Sequence, residues 1–309
     1  MKSFKNILVY VDTFASHPHT AFHKAIEIAA RNHGAVTLMD VVEDVPWFMN
    51  AISHKAQDIL DTTEGMRRDK LEELAEEARN LDLPVKTLLV HGKPFEEITK
   101  TVLRNDHDLV MKTANAGSNS TNLCGQTGIR LVRKCPCPVW IVTPAAPEKF
   151  SHVAVAIDPA PHDMSRNSMS KKLMESAISI TCPDTGVLTI VHAWTLYAES
   201  MFASRMTPQE LREHIETVER QVMEMVEAFL IPFQDFLPEG HVELVRGEPG
   251  LAVPEYVNQS NTDLLIIGTT GRSGLPHFFS GHIAEMVLNE IQCSVLVIKP
   301  DDFVCPIHI

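Results

Sequence analysis

The chain has 309 residues, of which 44% are hydrophobic, and a formal net charge of −13 at pH 7. This length suits two domains of about 150 residues each. The acidic balance, without a dense basic patch to neutralise phosphates, argues against a nucleic-acid partner. No stretch approaches the ~18 uninterrupted apolar residues of a membrane-spanning helix, so we expect no membrane insertion.

Apolar strands and amphipathic helices alternate along the first half. Continuous apolar strands are typical of a parallel sheet that is covered on both faces. In chain order we predict a strand at Ile7–Asp12, a helix at Thr20–Asn32, a strand at Val36–Val42, a long charged helix near Ala56–Leu81, and strands at Val85–Val90, Leu109–Met111 and Pro138–Val142.

The second half has the same order of elements. Its long helix has a defined start, because Thr207 can cap it, Pro208 suits its first position and Glu210 completes a capping box. In chain order we predict a strand at Val153–Asp158, a helix at Ser168–Ile180, a strand at Val187–Ala193, the long helix at Pro208–Ile231, and strands at Val242–Val245, Leu264–Ile267 and Val295–Ile298.

The two halves also resemble each other in sequence. Residues 108–144 and 263–300 each contain a strand that Asp-Leu opens, a polar loop, a short helix, a Cys-x-Val strand and a proline. A repeat at half the chain length indicates a duplicated domain rather than an array of short repeats. We therefore predict two α/β domains with parallel sheets. Their bounds are 1–147 and 148–309, joined through the polar, proline-rich segment Pro144–Ser151.

A glycine-rich loop follows the strand Leu264–Ile267. It begins Gly268-Thr269-Thr-Gly271-Arg272-Ser273, and Gly281-His282-Ile283 stands nine residues after Gly271 at the start of a helix. Ligands in open α/β sheets lie outside the carboxyl ends of the strands, and a helix start favours anions. The alternative is that the glycines only shape a turn.

The G-x2-G-x9-G pattern of this loop, with a short helix and a last strand after it, resembles the universal stress protein family. The segments HGKPFEEI, LVRKCPCPVW and GTTGRSG, together with the duplication, resemble the tandem E-type members of that family. The resemblance covers essentially the whole chain. It implies a Rossmann-like fold with a five-stranded sheet in each domain and a cytoplasmic bacterial protein made under stress.

The resemblance also implies an adenine-nucleotide site, for ATP or AMP, in the second domain. Asp158 would bind the base and the glycine-rich loop the phosphates. The candidate residues are Asp158, Val191, Gly268, Thr269, Gly271, Arg272, Ser273, Gly281, His282 and Ile283. The sequence departs from the family pattern at His282, where the family has serine or threonine. This substitution weakens the case for a triphosphate and leaves an AMP-like ligand open.

The equivalent loop in the first half lacks this pattern. Thr113 or Ala114 stands where the second half has Gly268, depending on the gap, and a side chain there obstructs the approach of a phosphate. Asp12 is retained at the end of the first strand. We expect a poor or absent ATP site in this domain, with either another ligand or a structural role.

The last strands of the two halves predict how the copies combine. An unpaired edge strand invites pairing, and the fusion of two copies makes that pairing intramolecular. We predict that Pro138–Val142 pairs antiparallel with Ser294–Ile298 in an intramolecular pseudo-dimer, and further homodimerisation stays open. The alternative is two independent domains on a linker.

Several polar and apolar residues have two interpretations. Asp40 in the second strand of the first half, and His192 beside the matching place in the second half, either face a ligand cleft or are satisfied structural groups. The Met- and aromatic-rich segments Val45–Met49 and Trp194–Met206 either line a pocket or pack in the core. Cys135-Pro-Cys137 has no second cysteine pair to complete a zinc site, so we expect no metal.

These observations predict a small-molecule binding or sensing protein without catalytic residues. No G-x-S-x-G or H-E-x-x-H motif is present. Six cysteines without a framework spacing, and an N-terminus without a signal-peptide layout, favour the cytoplasm. The alternatives are a scaffold for an apolar ligand or a protein partner, and a weak ATP hydrolase.

Overall fold

A computed structural model describes residues 4–15, 18–44, 54–115, 124–181, 186–237, 241–269 and 282–308 of the chain. Its contacts divide the chain into two units. The first unit comprises Ser3–Glu148 and Ser294–Ile309, and the second consists chiefly of Lys149–Cys293. The last strand of the second half therefore belongs to the first unit.

The first half contains five strands and four helices among the described residues. They alternate strictly, as predicted. In chain order they are β1 (Asn6–Tyr10), α1 (Thr20–Asn32), β2 (Ala35–Val42), α2 (His54–Arg79), β3 (Val85–His91), α3 (Pro94–Asn105), β4 (Leu109–Thr113), α4 (Gly125–Lys134) and β5 (Val139–Val142).

The second half repeats this order with one additional short helix and a 3-10 turn. Its elements are β6 (His152–Ala156), α5 (Met164–Ile180), β7 (Val187–Trp194), α6 (Glu199–Ala203), α7 (Pro208–Leu230), a 3-10 helix (Ile231–Phe236), β8 (His241–Arg246), α8 (Pro249–Gln259), β9 (Leu264–Gly268), α9 (His282–Glu290) and β10 (Ser294–Ile298).

The sheet of the first unit has the strand order β3-β2-β1-β4-β5-β10. The first five strands are parallel. β10 runs antiparallel to β5, with Val295 opposite Ile141 and Val297 opposite Val139. The side-chain oxygen of Ser294 also accepts a hydrogen bond from the backbone N–H of Thr143, at 3.1 Å. The predicted pairing of the two last strands is confirmed.

The second unit contains the parallel strands β9-β6-β7-β8. This order reproduces β4-β1-β2-β3 of the first unit, as a duplication requires. The predicted class, tandem α/β domains with parallel sheets, is confirmed. Parallel sheets place the carboxyl ends of neighbouring strands at one edge, and the candidate site lies at such an edge.

Continuous burial of the strands explains why they are apolar throughout. Every residue of β4, β5 and β10 is buried. Trp140 on β5 is the largest fully buried side chain among those described. Each fully buried aliphatic side chain contributes roughly 1.5–3 kcal/mol. The charged member of these strands, Lys112 on β4, is therefore an exception that needs a physical reason.

Helix α7 begins as the sequence predicts. The hydroxyl of Thr207 accepts from the backbone N–H of Glu210 at 3.3 Å, and the Glu210 carboxylate accepts from the backbone N–H of Thr207 at 2.7 Å. The capping box is confirmed. Within the described ranges, no helix combines the length and the apolar character needed to cross a bilayer.

Candidate functional site

A cavity of about 310 Å³ lies at the carboxyl ends of β6, β7 and β9 in the second unit. It brings together four of the ten predicted site residues: Asp158, Val191, Gly268 and Thr269. The lining residues are Ala156, Ile157, Asp158, Arg166, Val191, Ala193, Pro249, Val253, Ile267, Gly268, Thr269, Ala284 and Val287.

The walls of this cavity are mostly aliphatic because they belong to buried strands and to the inner faces of α8 and α9. Val191 is fully buried opposite Ala156 of the neighbouring strand. The small side chains of Ala156 and Ala193 leave the space that larger residues would fill. A flat ring or another apolar group is suited to these walls.

Asp158 lies at the mouth of the cavity, directly after β6. Its carboxylate forms an ion pair with the guanidinium of Arg166, whose Nε also donates to the Asp158 carbonyl oxygen at 3.3 Å. The backbone N–H of Asp158 donates to the Ser170 hydroxyl at 3.1 Å. A carboxylate has about four lone-pair positions, so this pairing leaves capacity to accept from a ligand.

Sequence reasoning missed Arg166. It belongs to the first turn of α5, where Asp163 caps the helix by accepting from the backbone N–H of Arg166 at 3.0 Å. A basic side chain in a first turn is unfavourable to the helix dipole. The signal available in the sequence was only that Arg166 stands between the strand-end aspartate Asp158 and the predicted helix, which was expected to begin at Ser168.

Gly268 has a packing role in addition to its place in the cavity. A Cβ at this position would lie 3.0 Å from Cγ and Sδ of Met169 on α5. Contacts this short force the neighbour to move, so glycine lets α5 pack closely against the end of β9. Thr269, the next residue, is buried at the cavity wall.

The rest of the predicted phosphate loop cannot be placed against this cavity. Gly271, Arg272, Ser273 and Gly281 lie outside the described residues. His282 and Ile283 begin α9, and their side chains also lie outside the described part. The assignment of these six residues to phosphate binding stays a prediction.

The first unit also has a cavity of about 310 Å³ at the equivalent strand ends. It is called the first cavity below, and the cavity of the second unit is called the second cavity. Many of its lining side chains are polar or charged. They are Val9, Tyr10, Val11, Asp12, His19, Phe22, Glu43, Pro94, Lys112, Thr113, Asn115, Gln126 and Thr127. Asp12 thus occupies the place that Asp158 has in the second unit.

Strand register settles which residue replaces Gly268 in the first half. Leu109 lies opposite Ile7, as Leu264 lies opposite Val153. Counting along the strands equates Thr113 with Gly268 and Lys112 with Ile267. The Thr113 hydroxyl accepts a hydrogen bond from the backbone N–H of Ala21 at 3.1 Å. This side chain of β4 therefore caps the amino end of α1.

Lys112 is buried in the wall of this first cavity, with 4% of its surface exposed. Its Nζ donates to the carbonyl oxygens of Thr113 at 2.8 Å and Cys124 at 3.4 Å, and to the Asn115 side-chain oxygen at 3.4 Å. Burial lowers the pKa of Lys112 from 10.5 to about 8. Its position in an otherwise apolar strand was a sequence signal that went unused.

Asp40 and His192 are satisfied structural groups. Asp40 is fully buried, and its carboxylate accepts from Arg67 at 2.7 Å and from the Thr13 hydroxyl at 2.6 Å. His192 is buried with Nδ1 at 3.0 Å from the carbonyl oxygen of Ile157. Neither lines a described cavity, so the structural interpretation holds.

The cysteines and the aromatic segments add no further ligand set. The Sγ atoms of Cys135 and Cys137 are 3.6 Å apart and buried. Among the described residues, no cluster of His, Cys, Asp or Glu is arranged to hold a metal ion. Trp194 packs in the core whereas Tyr197 is 89% exposed. The segment Val45–Met49 lies outside the described residues.

The duplicated fold and the paired strand-end cavities define a tandem α/β protein with one candidate ligand cavity in each half. The model of the universal stress protein family matches residues 3–143 and again residues 149–299. The chain therefore belongs to the universal stress protein family, with one copy of the domain in each half.

Relatives of the same tandem length support this assignment. The chain is 24% identical to universal stress protein E of Photorhabdus laumondii over 99% of this chain and 98% of that protein. It is 25% identical to universal stress protein E of Escherichia coli K12 over 100% of this chain and 98% of that protein.

Solved structures show the same fold. A functionally unknown protein from Pseudomonas aeruginosa PAO1 matches with a TM-score of 0.73 and 21% identity, over 97% of this chain and 94% of that one. A universal stress protein from Archaeoglobus fulgidus matches with a TM-score of 0.62 and 16% identity, over 97% and 99%.

Proposed function

We propose that this protein is a cytoplasmic stress-response protein that binds or senses an adenine nucleotide, AMP or ATP, in the cavity of its second unit. The observation that carries the proposal is the position of Asp158. Its carboxylate lies at the mouth of an apolar cavity that three parallel strand ends form. Strand ends of this kind are where open α/β sheets bind ligands.

The chemistry of the cavity suits a purine nucleoside. Its aliphatic walls can contact both faces of a flat base, and Asp158 can accept from an exocyclic amine or a ribose hydroxyl. Arg166 holds the carboxylate in place and adds positive charge at the mouth. The amino end of α9, which begins at His282, favours an anion.

The phosphate-binding part of the proposal concerns the loop after β9 and the start of α9. In the proposal the segment Gly271–Ser273 and Gly281 bind the phosphates, on the strength of the sequence pattern alone. A histidine at position 282 can donate to a phosphate only as a suitable tautomer or when protonated. We therefore expect AMP to bind at least as tightly as ATP.

Calorimetric titration of AMP and ATP tests the proposal. Asp158→Asn replaces a charged acceptor by a neutral one. We expect this variant to bind the nucleotide more weakly by about one to two powers of ten, because hydrogen bonds to charged groups contribute about 1.5–3 kcal/mol. The matched control is Asp12→Asn in the first unit, which should leave the affinity unchanged. Failure of the wild-type protein to bind either nucleotide at millimolar concentration would overturn the proposal.

The same samples distinguish the remaining alternatives. Phosphate release that Asp158→Asn abolishes would indicate hydrolysis instead of sensing. An apolar compound released from the purified protein, and identified by mass spectrometry, would indicate the scaffold function. The aliphatic walls of the second cavity are the observation that keeps this apolar-ligand function in consideration.

A further inference from the structure

The first cavity contains a charge that its counterpart lacks. Lys112 lines the cavity of the first unit at the position where Ile267 lines the cavity of the second. Both side chains are buried, with 4% and 5% of their surfaces exposed. The duplicated fold therefore needs only an aliphatic residue here. A buried lysine at this position requires an explanation beyond packing.

The groups in contact with Lys112 do not compensate its charge, and among the described carboxylates only Asp12, at the mouth of the same cavity, attracts it from a greater distance. Its ammonium donates to two backbone carbonyl oxygens and one amide oxygen, all of which are neutral. In the part of the chain that the structure describes, no carboxylate oxygen lies within 4.0 Å of Lys112 Nζ. A buried cation without a counter-ion is costly, and an anion in the cavity would offset that cost.

The amino end of α4 lies at the same part of the cavity. Gln126 and Thr127, in the first turn of α4, line the cavity beside Lys112. Gly125 has a φ of +61°, and a Cβ there would lie 2.3 Å from the Asn115 amide nitrogen. Asn115 therefore packs directly over the helix start. The helix dipole adds positive potential to that of Lys112, and the amide and hydroxyl groups add hydrogen-bonding capacity.

The mouth of the cavity limits how much negative charge can enter. Asp12 and Glu43 also line it, and both are exposed. Lys112, Asp12 and Glu43 together carry a formal charge of −1 (one positive charge against two negative ones), so only a single acidic group placed directly beside the ammonium is matched. A di- or triphosphate would meet net repulsion. A planar carboxylate can accept from the ammonium with one oxygen, in place of one of the two hydrogen bonds of 3.4 Å, and from the amide or hydroxyl groups with the other.

We propose that the first-unit cavity is a second ligand site, specific for a small carboxylic acid, in which the ammonium of Lys112 pairs with the carboxylate. The cavity of about 310 Å³ is at the lower end of the range for small-molecule sites. An acid that also carries an amino group gains attraction from Asp12 and Glu43. The site requires no nucleotide and is independent of the second cavity.

Matched pairs of small compounds test this assignment on the full-length protein. Calorimetric titration would compare propionate with propionamide and alanine with alaninamide, because each amide lacks only the charge of the carboxylate. Glutamate, succinate and inorganic phosphate complete the set. We expect binding by at least one acid, no binding by its amide, and weaker binding by phosphate. Absence of binding by every carboxylic acid at millimolar concentration would overturn the proposal, as would tighter binding of phosphate.

Lys112→Met tests the role of the ammonium, because methionine keeps the unbranched shape without the charge. We expect at least a tenfold loss of affinity for the acid that binds the wild-type protein. The matched control is Lys86→Met, on an exposed position of β3 in the same unit, with unchanged affinity expected. Equal affinity in Lys112→Met and the wild type would contradict the proposal.

The pH dependence of the wild-type protein tests the same point without a substitution. Only the protonated amine pairs with a carboxylate, so affinity should fall progressively above pH 8. The other titratable groups that face Lys112 are Tyr10, Asp12, His19, Glu43 and Cys124. Burial raises the pKa of Tyr10, and it raises that of Cys124 to about 12. An affinity that stays constant from roughly pH 7.5 to 9.5 would contradict the role of Lys112.

Discussion

The two cavities of this protein have the same place in their sheets and the same volume, about 310 Å³, but different walls. The second has aliphatic walls with Asp158 and Arg166 at its mouth. The first has Lys112 in its wall and Asp12 and Glu43 as its exposed carboxylates. The difference shows that duplication preserved the scaffold while the strand-end residues changed the chemistry of the site.

Three strand-end positions contribute to this divergence. Lys112 replaces Ile267, Thr113 replaces Gly268, and Tyr10 occupies the position of Ala156. All are at the carboxyl ends of strands, where side chains line the cavity without interrupting the hydrogen bonds of the sheet. Each exchange alters charge or available space and leaves the fold unchanged.

The largest expected change in stability comes from breaking the ion pair of Asp40 with Arg67. Asp40 has the strand position that His192 has in the other half. Asp40 is fully buried and paired with Arg67, whose side chain is 19% exposed. Arg67→Met leaves the carboxylate buried without its counter-charge. We expect the free energy of unfolding to fall by about 3–5 kcal/mol, measured by urea unfolding.

Arg68→Met is the control for this substitution. Arg68 pairs with Glu64 on the surface and is 70% exposed, so its loss should cost at most about 1 kcal/mol. Similar losses in the free energy of unfolding for the two variants would show that the buried Asp40–Arg67 pair stabilises the first half no more than a surface pair does.

An intermediate change, here an increase in the free energy of unfolding, is expected when the first cavity is made as uncharged at this position as the second. Lys112→Met removes a buried charge. The pKa of Lys112 falls from 10.5 to about 8 on burial, which corresponds to roughly 3 kcal/mol of destabilisation at neutral pH. We therefore expect the variant to be about 1–3 kcal/mol more stable than the wild-type protein at pH 7, without ligand.

The sign of the pH dependence follows from the same values. Between about pH 8 and 10.5 the unfolded state holds a proton on Lys112 that the folded state has released. The wild-type protein should therefore gain stability relative to Lys112→Met across that window, and the difference should be largest below about pH 8. Urea midpoints at several pH values measure it. A constant difference would mean that the lysine keeps its ordinary pKa.

The smallest effect on stability is expected at Arg166. Its ion pair with Asp158 is partly exposed, with 32% and 56% of the two side chains accessible. Such pairs contribute at most about 1 kcal/mol, so Arg166→Gln should change the urea midpoint little. The nucleotide affinity should fall more clearly, because Asp158 loses the partner that orients it. A large loss of stability with unchanged affinity would assign Arg166 a structural role.

The sequence predicted the fold in detail because its signals were local and repeated. Alternating apolar strands, the capping box at Thr207 and the similarity of the two halves all predicted the observed elements. The pairing of β5 with β10 was also predictable, since each is an apolar last strand. The observed ends of the predicted helices and strands differ from the predicted ends by only a few residues.

The sites were harder to predict because they depend on three-dimensional neighbours. The sequence predicted Asp158, Val191, Gly268 and Thr269 as site residues, and these four residues line one cavity. It missed Arg166, which reaches Asp158 from another element. For the first half, the sequence predicted only a poor or absent nucleotide site. The position of Lys112 in the cavity wall was not predicted, because it follows only from the strand register. Charge in a cavity cannot be recognised before the cavity is known.

The central claim is that the two cavities bind different ligands, and one calorimetric comparison tests it most directly. AMP would be titrated into Ala193→Trp, which fills the second cavity, and into Lys112→Met, which changes only the first. The account predicts that AMP binding is lost in Ala193→Trp and retained in Lys112→Met. Loss of AMP binding in Lys112→Met, with retention in Ala193→Trp, would contradict it.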